Sequence, residues 1–138
     1  MAEIRYPPEW ASLKYPQWRL ELLATLKELG DLDYQKKAWI EESLDKDVIV
    51  GARQAYHSLF KDLKLGDEPE AAIGCFLFDA AELAALKPLI ALLQAVKKDL
   101  GEISATACLA NPDWPEVVAS AATARAALAA RGEPTGGG

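Results

Sequence analysis

The sequence predicts an all-α fold: a single compact bundle of five to seven helices around a central helix kinked at a proline. Three observations carry this expectation. Alanine and leucine supply 25 and 20 of the 138 residues, and both favour helix, whereas the β-branched residues that favour strands are scarce. Apolar residues recur three and four apart, most regularly at Leu83, Leu86, Ile90, Leu93, Val96 and Leu100, which lays one stripe along a helix. The chain fits one domain of the usual ~100 to 200 residues. Its 51% hydrophobic and 26% charged residues are the mix of a globular chain able to bury a core. Residues 1–132 are therefore expected to form the domain, with Glu133 to Gly138, rich in glycine, as a flexible tail or linker.

The segment from Tyr6 to Tyr15 reads as an irregular or short helical arm anchored by Trp10 and Leu13. The first long helix begins at Pro16, suited to a first helical turn, and ends at Gly30, which fits a left-handed cap. Trp18, Leu22, Leu26 and Leu29 form its apolar stripe. A second helix starts at Asp31 or Asp33 as N-cap and carries Tyr34, Ala38, Trp39 and Ile40, before a charged connection from Glu41 to Asp47. Val48-Ile49-Val50 has no partner strand and leads into a third helix, about Ala52 to Leu65, burying Ala52, Tyr56, Leu59, Phe60 and Leu63. Gly66 to Pro69 is a turn by composition. The apolar run Ile73 to Phe78 suits a helix or an extended lead-in better than a sheet strand, since one strand cannot make a sheet.

Asp79 with Glu82 three residues on has the spacing of a capping box opening the central helix, where Pro88 predicts a kink or a break. Gly101 closes that helix, and the stretch to Ala110 carries no strong signal. The last helix is expected from Asp113 as cap, with Pro115 in its first turn and Val117, Ala121, Ala124 and Leu128 on one face, ending at Gly132. No repeat of 20 to 50 residues is present.

Fifteen basic residues against 21 acidic ones give a net charge of −6, which repels phosphate backbones and argues against nucleic acid as a partner. The apolar stretches are broken by Glu82, Lys87, Gln94 and Lys97 well short of the ~18 residues of a membrane span. With no secretion signal at the amino terminus, a cytoplasmic location is expected. Cys75 and Cys108 lie among apolar neighbours without CxxC spacing and read as small buried hydrophobes. Phosphate loops, nucleotide fingerprints and a GxSxG elbow are absent, and neither acidic cluster has the spacing of a calcium loop. No catalytic residue, metal site or cofactor is predicted.

What remains points to binding. Asp45 and Asp47, and then Asp67, Glu68 and Glu70, form acidic clusters on two predicted connections, which read first as solvated loop charge and second as a negative patch for a basic protein partner. His57, the single histidine, sits with Tyr56 on a helix edge; it reads first as an exposed or boundary residue, and the two are the further candidates for partner contact. Most of the aromatic residues are expected in the core or at its boundary, Trp39 among the core ones, with one or two of Trp10, Trp18, Trp39 and Trp114 as candidates for exposed anchors. The weaker readings are a homodimer or larger scaffold assembly packed through the alanine-rich last helix, and a small enzyme using His57 with a carboxylate.

Tyr34-Gln35 then Trp39, Leu59-Phe60-Lys61-Asp62, Ile73-Gly74 then Leu77 and Glu82, and Pro112-Asp113-Trp114 then Val117 form a pattern over about residues 16 to 130. It resembles a family of small uncharacterised bacterial helical proteins, in which an acidic residue is preferred where Lys61 stands. Proteins of this sort are similar in size and acidity to the immunity proteins of polymorphic toxin systems. That resemblance implies a non-enzymatic inhibitor that binds and neutralises a toxin domain.

Overall fold

The computed structural model describes residues 6–41 and 52–132, and among them the chain is helical throughout apart from connecting turns and one isolated bridge between Ile73 and Leu77. A 3₁₀ turn, Pro8–Ser12, precedes α1, Pro16–Leu29. α2, Leu32–Tyr34, widens into a π-helical segment, Gln35–Glu41. α3, Ala52–Tyr56, likewise widens into His57–Asp62. A second 3₁₀ turn, Pro69–Ala72, leads to α4, Ala80–Leu100, which is followed by α5, Ala105–Ala110, and α6, Trp114–Ala129.

α6 lies between α1 and α4. Its predicted face is buried as expected, with Val117, Ala121, Ala124 and Leu128 all fully covered. Its small residues admit a close neighbour. A Cβ on Gly30 would stand 3.1 Å from the Ala122 backbone nitrogen, so the bare α-carbon lets the end of α1 reach α6. Gly30 has φ −88°, so its role is this close approach and not the left-handed cap expected from sequence. The buried alanines of α6 are thus occupied within the chain.

The arm is held as predicted by Trp10, fully buried, and Leu13. Asp31 is the N-cap of α2, its carboxylate accepting from the Tyr34 amide at 3.0 Å. Residues 73–78 form no helix: Gly74, at φ 89°, turns the chain so that its amide donates to the Leu77 carbonyl at 2.7 Å. α4 continues through Pro88 without interruption. Pro88 and Ala84 both face solvent, where water can serve the carbonyl that proline leaves without a donor. Gly101 ends the helix at φ 73°. α5 is capped by Ser104, whose hydroxyl accepts from the Ala107 amide at 3.2 Å.

Two caps depart from expectation. Asp79 accepts from the Glu82 amide at 3.1 Å, but the Glu82 side chain does not close a box with the Asp79 amide. It accepts instead from the Phe78 amide at 2.8 Å and pairs with Arg19 of α1. Asp113 makes no side-chain cap of α6, and Asn111 orders that corner by accepting from the Asp113 amide at 2.9 Å.

The Arg19–Glu82 pair is the polar centre of the core. Arg19 is fully buried; its two terminal nitrogens donate to the two Glu82 oxygens at 2.8 and 2.6 Å and to the carbonyls of Phe76 and Leu128. The guanidinium also lies over Phe78, 4.6 Å from the ring centre. A second buried amide, Gln35, donates to the carbonyls of Glu28 and Leu29 at the end of α1 and accepts from the Trp114 indole at 2.8 Å. Beside it Trp39 and Trp114 meet edge to face at 6.3 Å. Trp10, Trp39 and Trp114 are buried and Trp18 is half-buried, so none of the four is an exposed anchor.

Candidate binding cleft and acidic turn

α3 and its π-helical continuation place side chains in two adjacent rows. Arg53, His57 and Lys61 are spaced by four along one row, and Tyr56 and Phe60 by four along the next. The widening is marked by the Leu63 amide, which bonds five residues back to the Ser58 carbonyl at 2.9 Å. Such π turns are rare and recur at functional sites. The Tyr56 hydroxyl donates to the Leu93 carbonyl of α4 at 2.6 Å, tying α3 to α4 at that level. Lys97, one turn beyond Leu93, consequently faces the basic row. Ile103, between α4 and α5, completes the wall.

These residues enclose an open cleft of about 450 Å³ lined by Arg53, Tyr56, His57, Phe60, Lys61, Lys97 and Ile103. Among the described residues its lining holds three cations, the single histidine and an apolar floor, and no carboxylate. Asp62 stands at the edge, its Oδ1 3.4 Å from His57 Nε2, with both side chains about two-fifths exposed. Burial, and secondarily the Cys108 thiol, push the Tyr56 phenol far above its ordinary value. Burial pushes the Cys108 thiol from 9.0 up to about 11. Cys108 is therefore held as a neutral thiol, the opposite of an activated nucleophile.

The second feature is the turn after this helix. Asp67, Glu68 and Glu70 are all exposed. The turn is braced by hydrogen bonds that the Ala71 amide donates to the Glu68 carbonyl (3.0 Å) and the Ile73 amide to the Glu70 carbonyl (3.2 Å). Ala72 anchors it, buried, with its carbonyl accepting from the amides of Cys75, Phe76 and Leu77 at 3.0 Å each. Ile73 is the neighbouring exposed apolar side chain.

The model of a domain of unknown function, DUF7945, matches residues 13–135. The chain belongs to this family. No curated protein and no solved structure matches it.

In this DUF7945 domain the residues singled out from sequence fall into separate groups. Asp67, Glu68 and Glu70 share the braced turn, whereas Asp45 and Asp47 lie outside the described residues. Tyr56 and His57 share the cleft with cations and not with the acidic cluster. Tyr56 is a core residue, buried with its hydroxyl bonded, and not the boundary anchor expected. Cys108 is fully buried as anticipated and Cys75 half-buried. Sequence reasoning missed Arg53, Lys61, Lys97 and Ile103. The four-residue spacing of Arg53, His57 and Lys61 was a usable signal, whereas the other two arrive only through packing. No described helix of the DUF7945 domain is long and apolar enough to cross a membrane.

Proposed function

We propose that this DUF7945 domain is a non-enzymatic protein-binding module of the immunity or antitoxin kind, cytoplasmic, that neutralises a toxin domain by covering a basic surface. The observation that supports this reading is the braced turn. It holds three exposed carboxylates, Asp67, Glu68 and Glu70, with no cationic partner among the described residues, beside exposed Ile73. A fixed acidic turn with an apolar neighbour offers charge for steering and a dry contact for residence, without the entropy cost of ordering a loose loop. Rim charges act mainly on encounter, so association should slow steeply as salt rises.

The test is capture of the partner from the native cell at low salt, repeated with Asp67→Lys, Glu68→Lys and Glu70→Lys combined. Loss of capture with an unchanged helical spectrum supports the reading. Undiminished capture by the triple variant removes the acidic-turn mechanism, and capture of no protein by the unaltered chain counts against a protein-binding role.

A further inference from the structure

The acidic turn leaves the cleft unexplained, and the cleft has the opposite chemistry. In a chain of net charge −6, three cations and the only histidine line one cavity, and no carboxylate among the described residues shares that lining. Among the described residues Arg53, Lys61 and Lys97 have no ion-pair partner. The smaller concavity near the end of α1, about 240 Å³, shows the ordinary pattern, with Asp31 set among Lys27 and Arg125. At physiological ionic strength charges are screened over about 8 Å, so the groups on the cleft wall, and not the net charge, decide what enters.

The floor is apolar. Phe60 and Tyr56 meet tilted, 5.7 Å between ring centres, and Ile103 adds aliphatic surface. A volume of about 450 Å³ lies within the ~300–1,000 Å³ of small-molecule sites. The walls are set by the core: the Tyr56–Leu93 hydrogen bond fixes the separation of α3 from α4, and with it the position of Lys97 opposite Arg53, His57 and Lys61. Arginine offers a planar fork matched to phosphate or carboxylate oxygens, and the lysines add point charge.

We propose that this cleft binds a small organic anion: an aromatic or aliphatic body lying on Phe60 and Ile103, bearing a doubly charged group held by Arg53, Lys61 and Lys97. This site uses a different set of residues from the acidic turn, which adjoins it where Gly66 packs against the Phe60 ring.

His57, as the only histidine, supplies a unique ring resonance inside the site. The experiment follows that resonance in the full chain while phenyl phosphate, phthalate, inorganic phosphate and benzyl alcohol are added separately, with sodium chloride as the ionic-strength control. Phenyl phosphate is expected to shift the signal saturably, and to bind more tightly than inorganic phosphate or benzyl alcohol, because only it offers both the body and the charge. Tighter binding of phenyl phosphate than phthalate assigns a phosphate ligand, and the reverse order assigns a dicarboxylate. Arg53→Glu and Lys97→Glu, both at exposed positions on different helices, should each weaken binding by roughly tenfold or more with the helical spectrum intact. Lys14→Glu, outside the cleft, should leave it unchanged. The proposal is overturned if no organic anion gives a saturable shift, if the shifts merely track ionic strength as with sodium chloride, or if charge reversal in the cleft weakens binding no more than Lys14→Glu does.

Discussion

Arg19 and Glu82, 63 residues apart in the chain, form a two-pronged ion pair inside the core, with nitrogen–oxygen distances of 2.8 and 2.6 Å and both side chains buried. Such a pair does not by itself make a fold more stable than apolar packing would, because desolvating two charges offsets most of their attraction. Its breakage is another matter. Arg19→Met is expected to lower stability by roughly 3–5 kcal/mol, since Glu82 is left buried and unpaired. Arg19→Met with Glu82→Leu should recover the larger part, the remainder reflecting the Phe76 and Leu128 carbonyls that lose a donor. Urea unfolding of the three proteins decides this: a double variant no more stable than the single one would show that the stranded charge is not the cause.

Leu93 is fully buried on the face of α4 that carries Leu86, Leu89 and Val96. Leu93→Ala should cost about 2–5 kcal/mol through lost burial and the cavity left behind. A change under about 0.5 kcal/mol, the range of surface substitutions, would place that face outside the core.

Thiol labelling of the native protein should modify half-buried Cys75 first and leave Cys108 unreacted until the chain unfolds. The same burial has a consequence for pH. The Cys108 thiol, raised from 9.0 to about 11, keeps its proton in the folded state where the unfolded chain releases it. Stability should therefore decline as pH rises from about 9 toward 11, and the raised Tyr56 phenol adds to the loss above pH 10. Cys108→Ala should flatten the first part of that decline in melting curves taken across the alkaline range.

At acid pH the relevant surface pair is Asp79 with Arg131, 2.6 Å apart. The hydrogen bond from Arg131, then that from the Glu82 amide, holds the Asp79 carboxyl below its ordinary 3.8. A lowered folded value means the contribution is present above about pH 3.8 and disappears as pH falls through the lowered value. Both groups are exposed, so the effect is small and salt should reduce it further. Asp79→Asn should shallow the acid limb of stability against pH; an unchanged limb would show that the carboxylate contributes nothing there.

Much of this fold is legible in local chemistry. Pro16 and Asp79 mark where α1 and α4 begin, and the three- and four-residue spacing from Leu83 to Val96 gives the buried face of α4. What stayed hidden depends on partners distant in sequence. Nothing around Arg19 indicates burial, because the groups that compensate its charge come from Phe76, Glu82 and Leu128. Glu82 sits at capping-box spacing, yet Arg19 and the Phe78 amide compete for the same carboxylate and win it. Gly30 reads as a cap from its place at a helix end, whereas its reason lies in the Ala122 backbone of another helix. The cleft is a mixture: one row of cations follows from helical spacing, and its opposing wall from the Tyr56–Leu93 bond.

Gly132, just past α6, lies so near the arm that a Cβ there would come within 2.8 Å of the Pro7 ring. The two ends of the described fold thus meet at Pro7 and Gly132, and a short flexible peptide could bridge them without disturbing the packing. The chain could then be reopened elsewhere, between Asp67 and Glu68, two exposed residues in a turn, where new termini are best tolerated. Such a circular permutant would retain the α1–α6–α4 core and the bonds that brace Glu68 and Glu70 while freeing Asp67 from them, separating what three joined carboxylates do for recognition from what two do.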